Sequence, residues 1–205
     1  MKKNSSLALL ILTIMIGISY ELLAFTGLNE SILTILGTVW NLLFAFIAGF
    51  YFMKDKFLTQ FKHFSFKTLL WGLPLIIVVG ISFSSLYSHL FGNPTTNSIG
   101  ESISLMMIFV QIPFMLMGEE LLSTNILLAL QNKGLSFFWS TIICSILFAL
   151  WHIPAYGFHP LQLIITLMPA RLILNFIWKK SNSVWVSWLC HFIYDSLGFI
   201  NFFLK

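Results

Sequence analysis

Glu119 and Glu120 stand side by side in one of the most apolar stretches of the chain, and His152, His191 and Asp195 stand within later ones. These residue types take up protons, polarise water and stabilise oxyanions. Ionised groups are expensive in hydrocarbon, so each of them needs a partner and usually a task. Successive residues of a helix are ~100° apart, so the two glutamates cannot point the same way. One can face a reaction cavity while the other is held by a structural partner. His191 and Asp195 are spaced i, i+4 and share one face of the last helix. His152 closes the run Ser145 to Trp151 just before Ile153-Pro154, where proline ends or kinks a helix and the freed backbone often lines a cavity. Taken singly, each residue has a structural explanation, such as an interhelical hydrogen bond or a local His–Asp contact. Together on three helices, in a chain so poor in polar groups, they point to one shared functional site.

The elements that position them follow from composition. Of 205 residues, 58% are hydrophobic and only 9% charged, against about 25% charged in soluble domains. The chain is therefore expected to be an integral membrane protein, all-α, a polytopic helical bundle in one domain over residues 1–205. Seven segments approach or exceed the ~20 apolar residues needed to span a bilayer: about 5–25, 31–53, 68–91, 102–131, 135–156, 159–178 and 184–204. Met-Lys-Lys resembles the charged start of a secretory signal, but the run behind it is long and lacks a convincing small-residue cleavage site, so it is expected to remain as the first helix. Cys144 and Cys190 fall in spanning segments and suit small apolar core positions rather than a disulfide. Pro113, six residues before Glu119, is expected to kink its helix.

Lysines orient the bundle. Lys2 and Lys3, then Lys54, Lys56, Lys62 and Lys67, then Lys133, then Lys179 and Lys180 place positive charge on alternate connections. The intervening ones carry Glu30 and Glu101 without lysine or arginine. The N-terminus is therefore expected to be cytoplasmic and Lys205 outside. That pattern accounts for nearly all of the net charge of +4 and calls for no nucleic-acid partner. The lysines, Phe and His of 54–67 read as a solvated or interfacial segment on an anionic leaflet. Trp40, Trp71, Trp178 and Trp185 suit membrane interfaces. His63 and His89 suit solvated roles, and His159 could join a site only if the loop after His152 folds back.

Glu119-Glu120, Phe148-x-x-x-His152 and His191-x-x-x-Asp195 resemble the EExxxR, FxxxH and HxxxN/D motifs of the CAAX-protease and bacteriocin-processing family (CPBP, or Abi) of intramembrane proteases. The resemblance covers roughly residues 100–200 and rests on order, spacing and placement on apolar helices. It implies hydrolysis of a peptide bond within the membrane. Glu119 would be the general base, with His152 helping to hold and polarise the attacking water. His191 and Asp195 would stabilise the oxyanion, Asp195 standing where the family often has Asn and acting as a protonated donor or by orienting His191. Implied substrates are hydrophobic peptides or lipidated proteins at the membrane, in maturation of CAAX proteins, bacteriocin processing or immunity, in a bacterial cell membrane. A zinc ion is the competing account: Glu119, His152 and His191 offer two imidazoles and a carboxylate with a position left for water. No HExxH is present, and the resemblance also allows a cofactor-free glutamate mechanism.

The departure from the pattern is Thr124, where EExxxR calls for arginine. Glu120 then loses its i+4 cation and must be protonated, paired by another cation, or part of a degenerate site. Arg171, the only arginine, lies within an apolar segment and is expected to reach Glu120 or Asp195 across the bundle. Two other readings stand beside the protease: a catalytically silent immunity or scaffold protein, supported by Thr124, and a small proton-coupled transporter, disfavoured by the absence of internal repeats.

Overall fold

The computed structural model describes residues 3–97 and 104–203, without the side chains at 3, 4 and 200–203. Lys2, Glu101, Lys205 and the Lys3 side chain, on which part of the orientation argument rests, lie outside that description. All regular structure among the described residues is helical. The order is α1 (Lys3–Leu22), α2 (Glu30–Met53), α3 (Asp55–Thr59), α4 (Phe66–Phe91), α5 (Ile112–Asn132), α6 (Phe137–Trp151), α7 (Ile153–Tyr156), α8 (Pro160–Ser181) and α9 (Val184–Phe203). A 3-10 turn, Leu23–Phe25, follows α1, and a π turn, Met107–Gln111, leads into α5.

Helix starts are set by short polar side chains. Asn29 accepts from the Ile32 amide at 2.9 Å, Ser65 from Thr68 at 3.2 Å and Ser136 from Trp139 at 3.4 Å, each satisfying an amide that has no partner within its own helix. Prolines set the irregularities. Pro154 has no amide N–H to continue α6, so the expected segment 135–156 divides at His152 into α6 and the single turn α7. Likewise the π turn stands directly ahead of Pro113, absorbing an extra residue where a regular ladder would fail.

Among the described residues, five helices are long and apolar enough to cross a membrane: Ser5–Phe25, Glu30–Met53, Phe66–Phe91, Met107–Asn132 and Pro160–Ser181. This makes the chain a multi-pass membrane protein. α6 is apolar but has only 15 residues, about 22 Å at ~1.5 Å per residue, short of a ~30 Å hydrocarbon core. Large apolar side chains such as Ile11, Met15, Ile35, Val78, Phe109 and Trp139 face outward, as lipid contact requires and water would not favour.

α5 is the central helix. Of its membrane window 72% is buried, against 17% for α2 and for α4. It packs on α1, α2, α6 and α9, while α4, α8 and α9 pack on one another. One apolar cluster joins α1, α2, α3, α5 and α6 through residues such as Leu9, Ala45, Phe57, Leu121, Leu127 and Cys144. A second joins α4, α8 and α9 through Ile76, Leu174, Ile177, Val186 and Cys190. Gly118 permits the tightest approach beside the glutamates: a Cβ there would lie 2.6 Å from the Leu42 amide nitrogen and 2.9 Å from the Asn41 Cβ.

Candidate active site

The two glutamates diverge as adjacent helical residues must. Glu120 is fully buried and takes two hydrogen bonds from Arg171, Nη1 to Oε1 at 2.6 Å and Nη2 to Oε2 at 3.0 Å. This bidentate geometry is the strong form of the Arg–carboxylate pair. Arg171 is itself fully buried. Its Nε donates to Asn175 Oδ1 at 3.0 Å, one turn along α8. Asn175 Nδ2 in turn donates to Thr141 Oγ1 at 2.8 Å and Ser145 Oγ at 3.3 Å on α6. The guanidinium carbon lies 5.3 Å from the centre of the Phe148 ring. Every polar group of this chain of contacts thus meets another, which a buried charge needs if it is not to destabilise the fold.

Glu120 also faces α9, where His191 Nδ1 lies 3.0 Å from its Oε1. A carboxylate held by a guanidinium can only accept, so Nδ1 carries the proton and donates. The other ring nitrogen, Nε2, points between two acids: Asp195 Oδ2 at 3.6 Å and Glu119 Oε2 at 3.9 Å. These are charge-pair separations rather than hydrogen bonds. Among the described residues, Glu119 Oε2 has no hydrogen-bond partner, although it is buried.

His152 caps the end of α6, and its Nδ1 stands 2.8 Å from the Phe148 carbonyl oxygen. A carbonyl only accepts, so Nδ1–H donates there, and the neutral ring is left with Nε2 as a free proton acceptor. Phe148 is the hub of these groups. Its ring centre is 4.5 Å from that of His152 and 6.0 Å from that of His191, with Arg171 over its face.

Two cavities meet here. One of about 280 Å³ is lined by Glu119, His152 and Asp195 together with Tyr20, Glu21 and Asn41. The other, of about 550 Å³, has an apolar arm between α4, α8 and α9, including Ile77, Ile81, Leu167 and Leu197, and ends at His152, His191 and Asp195. Phe148, His152 and Asp195 are walls of both. A chamber of mixed lining and a more apolar slot therefore share one boundary, where the ionisable groups converge.

Glu119, His152, His191, Asp195, Glu120 and Arg171, expected from sequence to share a site, lie around this junction. Arg171 meets Glu120, not Asp195. Thr124 is fully buried and its hydroxyl donates to the Leu121 carbonyl at 3.2 Å, within its own helix. His159 starts α8 and lines neither cavity. Among the described residues, no group of three or more His, Cys, Asp or Glu side chains is placed to hold a metal ion. Sequence reasoning did not find Tyr20 or Asn41. Nor did it find Asn175, Thr141 and Ser145, for which the i, i+4 spacing of 171 with 175 and of 141 with 145 was the available signal.

Residues 101–197 match the family described as Type II CAAX prenyl endopeptidase Rce1-like. No curated protein and no solved structure matches the chain. The matched family is one of CAAX-type proteases, and the match runs from just ahead of the π turn to Leu197 in α9. It therefore includes Glu119, Glu120, His152, Arg171, His191 and Asp195.

Proposed function

We propose that this chain, Rce1-like over residues 101–197, is an intramembrane endopeptidase that hydrolyses a peptide bond of a membrane-associated peptide or lipidated protein. The observation that carries the reading is the convergence of Glu119, His152, His191 and Asp195 where a chamber of mixed lining meets a more apolar slot. That arrangement suits a substrate with an apolar moiety and a scissile bond beside it.

In this reading water is held between the Glu119 carboxylate and His152 Nε2. Glu119 takes one proton as the water oxygen bonds to the scissile carbonyl carbon. The carbonyl electron pair moves onto its oxygen, and this oxyanion is met by the Nε2–H of doubly protonated His191. Asp195 and Glu120 hold that imidazolium from its two nitrogens. As the oxyanion collapses, the C–N bond breaks and Glu119 returns its proton to the leaving nitrogen. No step passes through a metal. We further propose a bacterial cell membrane as the setting, with the N-terminus on the cytoplasmic side as the lysine distribution indicates.

The test compares wild type with His152→Ala in proteoliposomes on a panel of hydrophobic and prenylated fluorogenic peptides, with and without a strong zinc chelator. Cleavage by wild type that survives the chelator and falls by about 10²–10⁴ in the variant is the expected result. A variant as active as wild type would refute the assignment of His152. Chelator-sensitive cleavage would refute the metal-free mechanism.

A further inference from the structure

We propose that Arg171 is the positioning residue of this site: a cation supplied from α8 that replaces one missing from α5 and, through Glu120, fixes the orientation of His191. The inference rests on the endopeptidase reading and extends it to a residue outside the three motifs.

On α5 the side chain one turn beyond Glu120 is Thr124, at i+4, the natural place for a cation to meet that carboxylate. Thr124 carries no charge and spends its hydroxyl on Leu121. The cation arrives instead from another helix. Arg171 is the one arginine of the chain, and the lysines among the described residues lie in the connections or near helix ends. It is fully buried, with both terminal nitrogens on Glu120. Lysine could not reproduce this fork. The guanidinium is itself oriented: Asn175 takes its Nε–H, Phe148 lies against its face, and Asn175 is pinned by Thr141 and Ser145. α6 and α8 thereby fix Arg171, Arg171 fixes both oxygens of Glu120, and Glu120 Oε1 fixes Nδ1 of His191. Only with that nitrogen engaged does Nε2 point between Glu119 and Asp195. Arg171 lines the apolar slot but lies a residue removed from the reacting atoms, and its effect is exerted through two intermediates.

A merely structural ion pair would hold helices together without regard to where its cation is attached. A positioning cation can be moved, provided it still reaches Glu120. The decisive variants are therefore Arg171→Met and the double variant Thr124→Arg with Arg171→Met, which returns the cation to α5. Both are purified in detergent with Arg171→Lys, and folding is followed by gel filtration and thermal melting. The expected result is a kcat for Arg171→Met lowered about 10²-fold, the loss typical of a ~1 Å misplacement, with KM within about threefold. Arg171→Lys falls between. The double variant regains at least about tenfold in kcat over Arg171→Met. A double variant that melts like wild type yet gains nothing over Arg171→Met overturns the proposal, as does Arg171→Met with wild-type kcat. Should Arg171→Met fail to fold, Asn175→Ala keeps the charge and loosens the guanidinium. A fall of about tenfold in its kcat supports the proposal, and an unchanged kcat overturns it. A wild type that cleaves nothing refutes the endopeptidase reading alone. The pH titration of the His191 ¹⁵N signals then decides this inference: a midpoint displaced in Arg171→Met or Asn175→Ala, and returned in the double variant, supports it, and a midpoint indifferent to all of them overturns it.

Discussion

Exchanging each of the neighbouring glutamates for glutamine should separate chemistry from stability. Glu120 is fully buried and receives charge-assisted bonds at 2.6, 3.0 and 3.0 Å from Arg171 and His191. Glu120→Gln leaves the Arg171 guanidinium buried and uncompensated, a change that destabilises by about 3–5 kcal/mol in comparable pairs. For a chain of this length 1 kcal/mol corresponds to ~2–4 °C, so the melting temperature should fall by about 6–20 °C. Glu119 is different. Its side chain is 24% exposed, and its Oε2 accepts no hydrogen bond among the described residues. Glu119→Gln preserves shape and removes no hydrogen bond at Oε2, only a partly exposed charge contact with His191 at 3.9 Å, so melting should stay within about 2–4 °C of wild type, while cleavage falls by about 10²–10⁴ with the loss of the general base. The protein carries its own probe of unfolding: Cys144 and Cys190 are both 0% exposed, so a thiol-reactive fluorophore added during a thermal ramp in detergent reports their release. Equal melting losses in the two variants, or a Glu119→Gln that cleaves like wild type, would refute this division of labour.

Gly118→Ala should lower the melting temperature by the equivalent of about 1–3 kcal/mol, because its Cβ would meet the Leu42 amide nitrogen at 2.6 Å. Gly37→Ala, where no heavy atom lies within 4 Å, should leave melting unchanged in the same ramp. Phe148→Leu removes the ring shared by His152, His191 and Arg171. Its kcat should fall by more than tenfold, while KM moves about threefold or less, as steady-state cleavage kinetics would show.

Much of the site was legible because charge is scarce in this chain. Five ionisable residues in apolar segments announce themselves when hydrocarbon penalises each of them, and Arg171 had to seek a carboxylate because it was the only arginine in such a segment. Helical geometry also required Glu119 and Glu120 to diverge, and Thr124 at i+4 from Glu120 marked Glu120 as the one in need of a cation, whereas the choice between Glu120 and Asp195 for Arg171 depended on helix packing that the sequence does not encode. Pro154 marked the end of α6 correctly, yet composition alone could not show that the helix ahead of it is only 15 residues long. For zinc, residue types and spacing specify possible ligands, whereas coordination depends on where the ring nitrogens point. His152 Nδ1 is occupied by a carbonyl one turn back and His191 Nδ1 by Glu120. Tyr20, near the end of α1, looks interfacial, and Asn41, midway along α2, offers no spacing signal, until the neighbouring helix is known.

The wall that α1 and α2 contribute around Glu119 has a consequence for water supply. Hydrolysis consumes a water molecule for every bond cut, and a bilayer interior offers almost none. Residues 101–197 on their own would present Glu119 along a trough open to acyl chains, because the side facing Gly17, Tyr20, Glu21 and Asn41 would have no cover. With α1 and α2 in place, that side becomes a hydrophilic lining within an oily surrounding. In the proposed reaction the helices without motifs thus decide whether Glu119 meets solvent or lipid, and the N-terminal half serves as plumbing for candidate reactive groups that all lie in the other half.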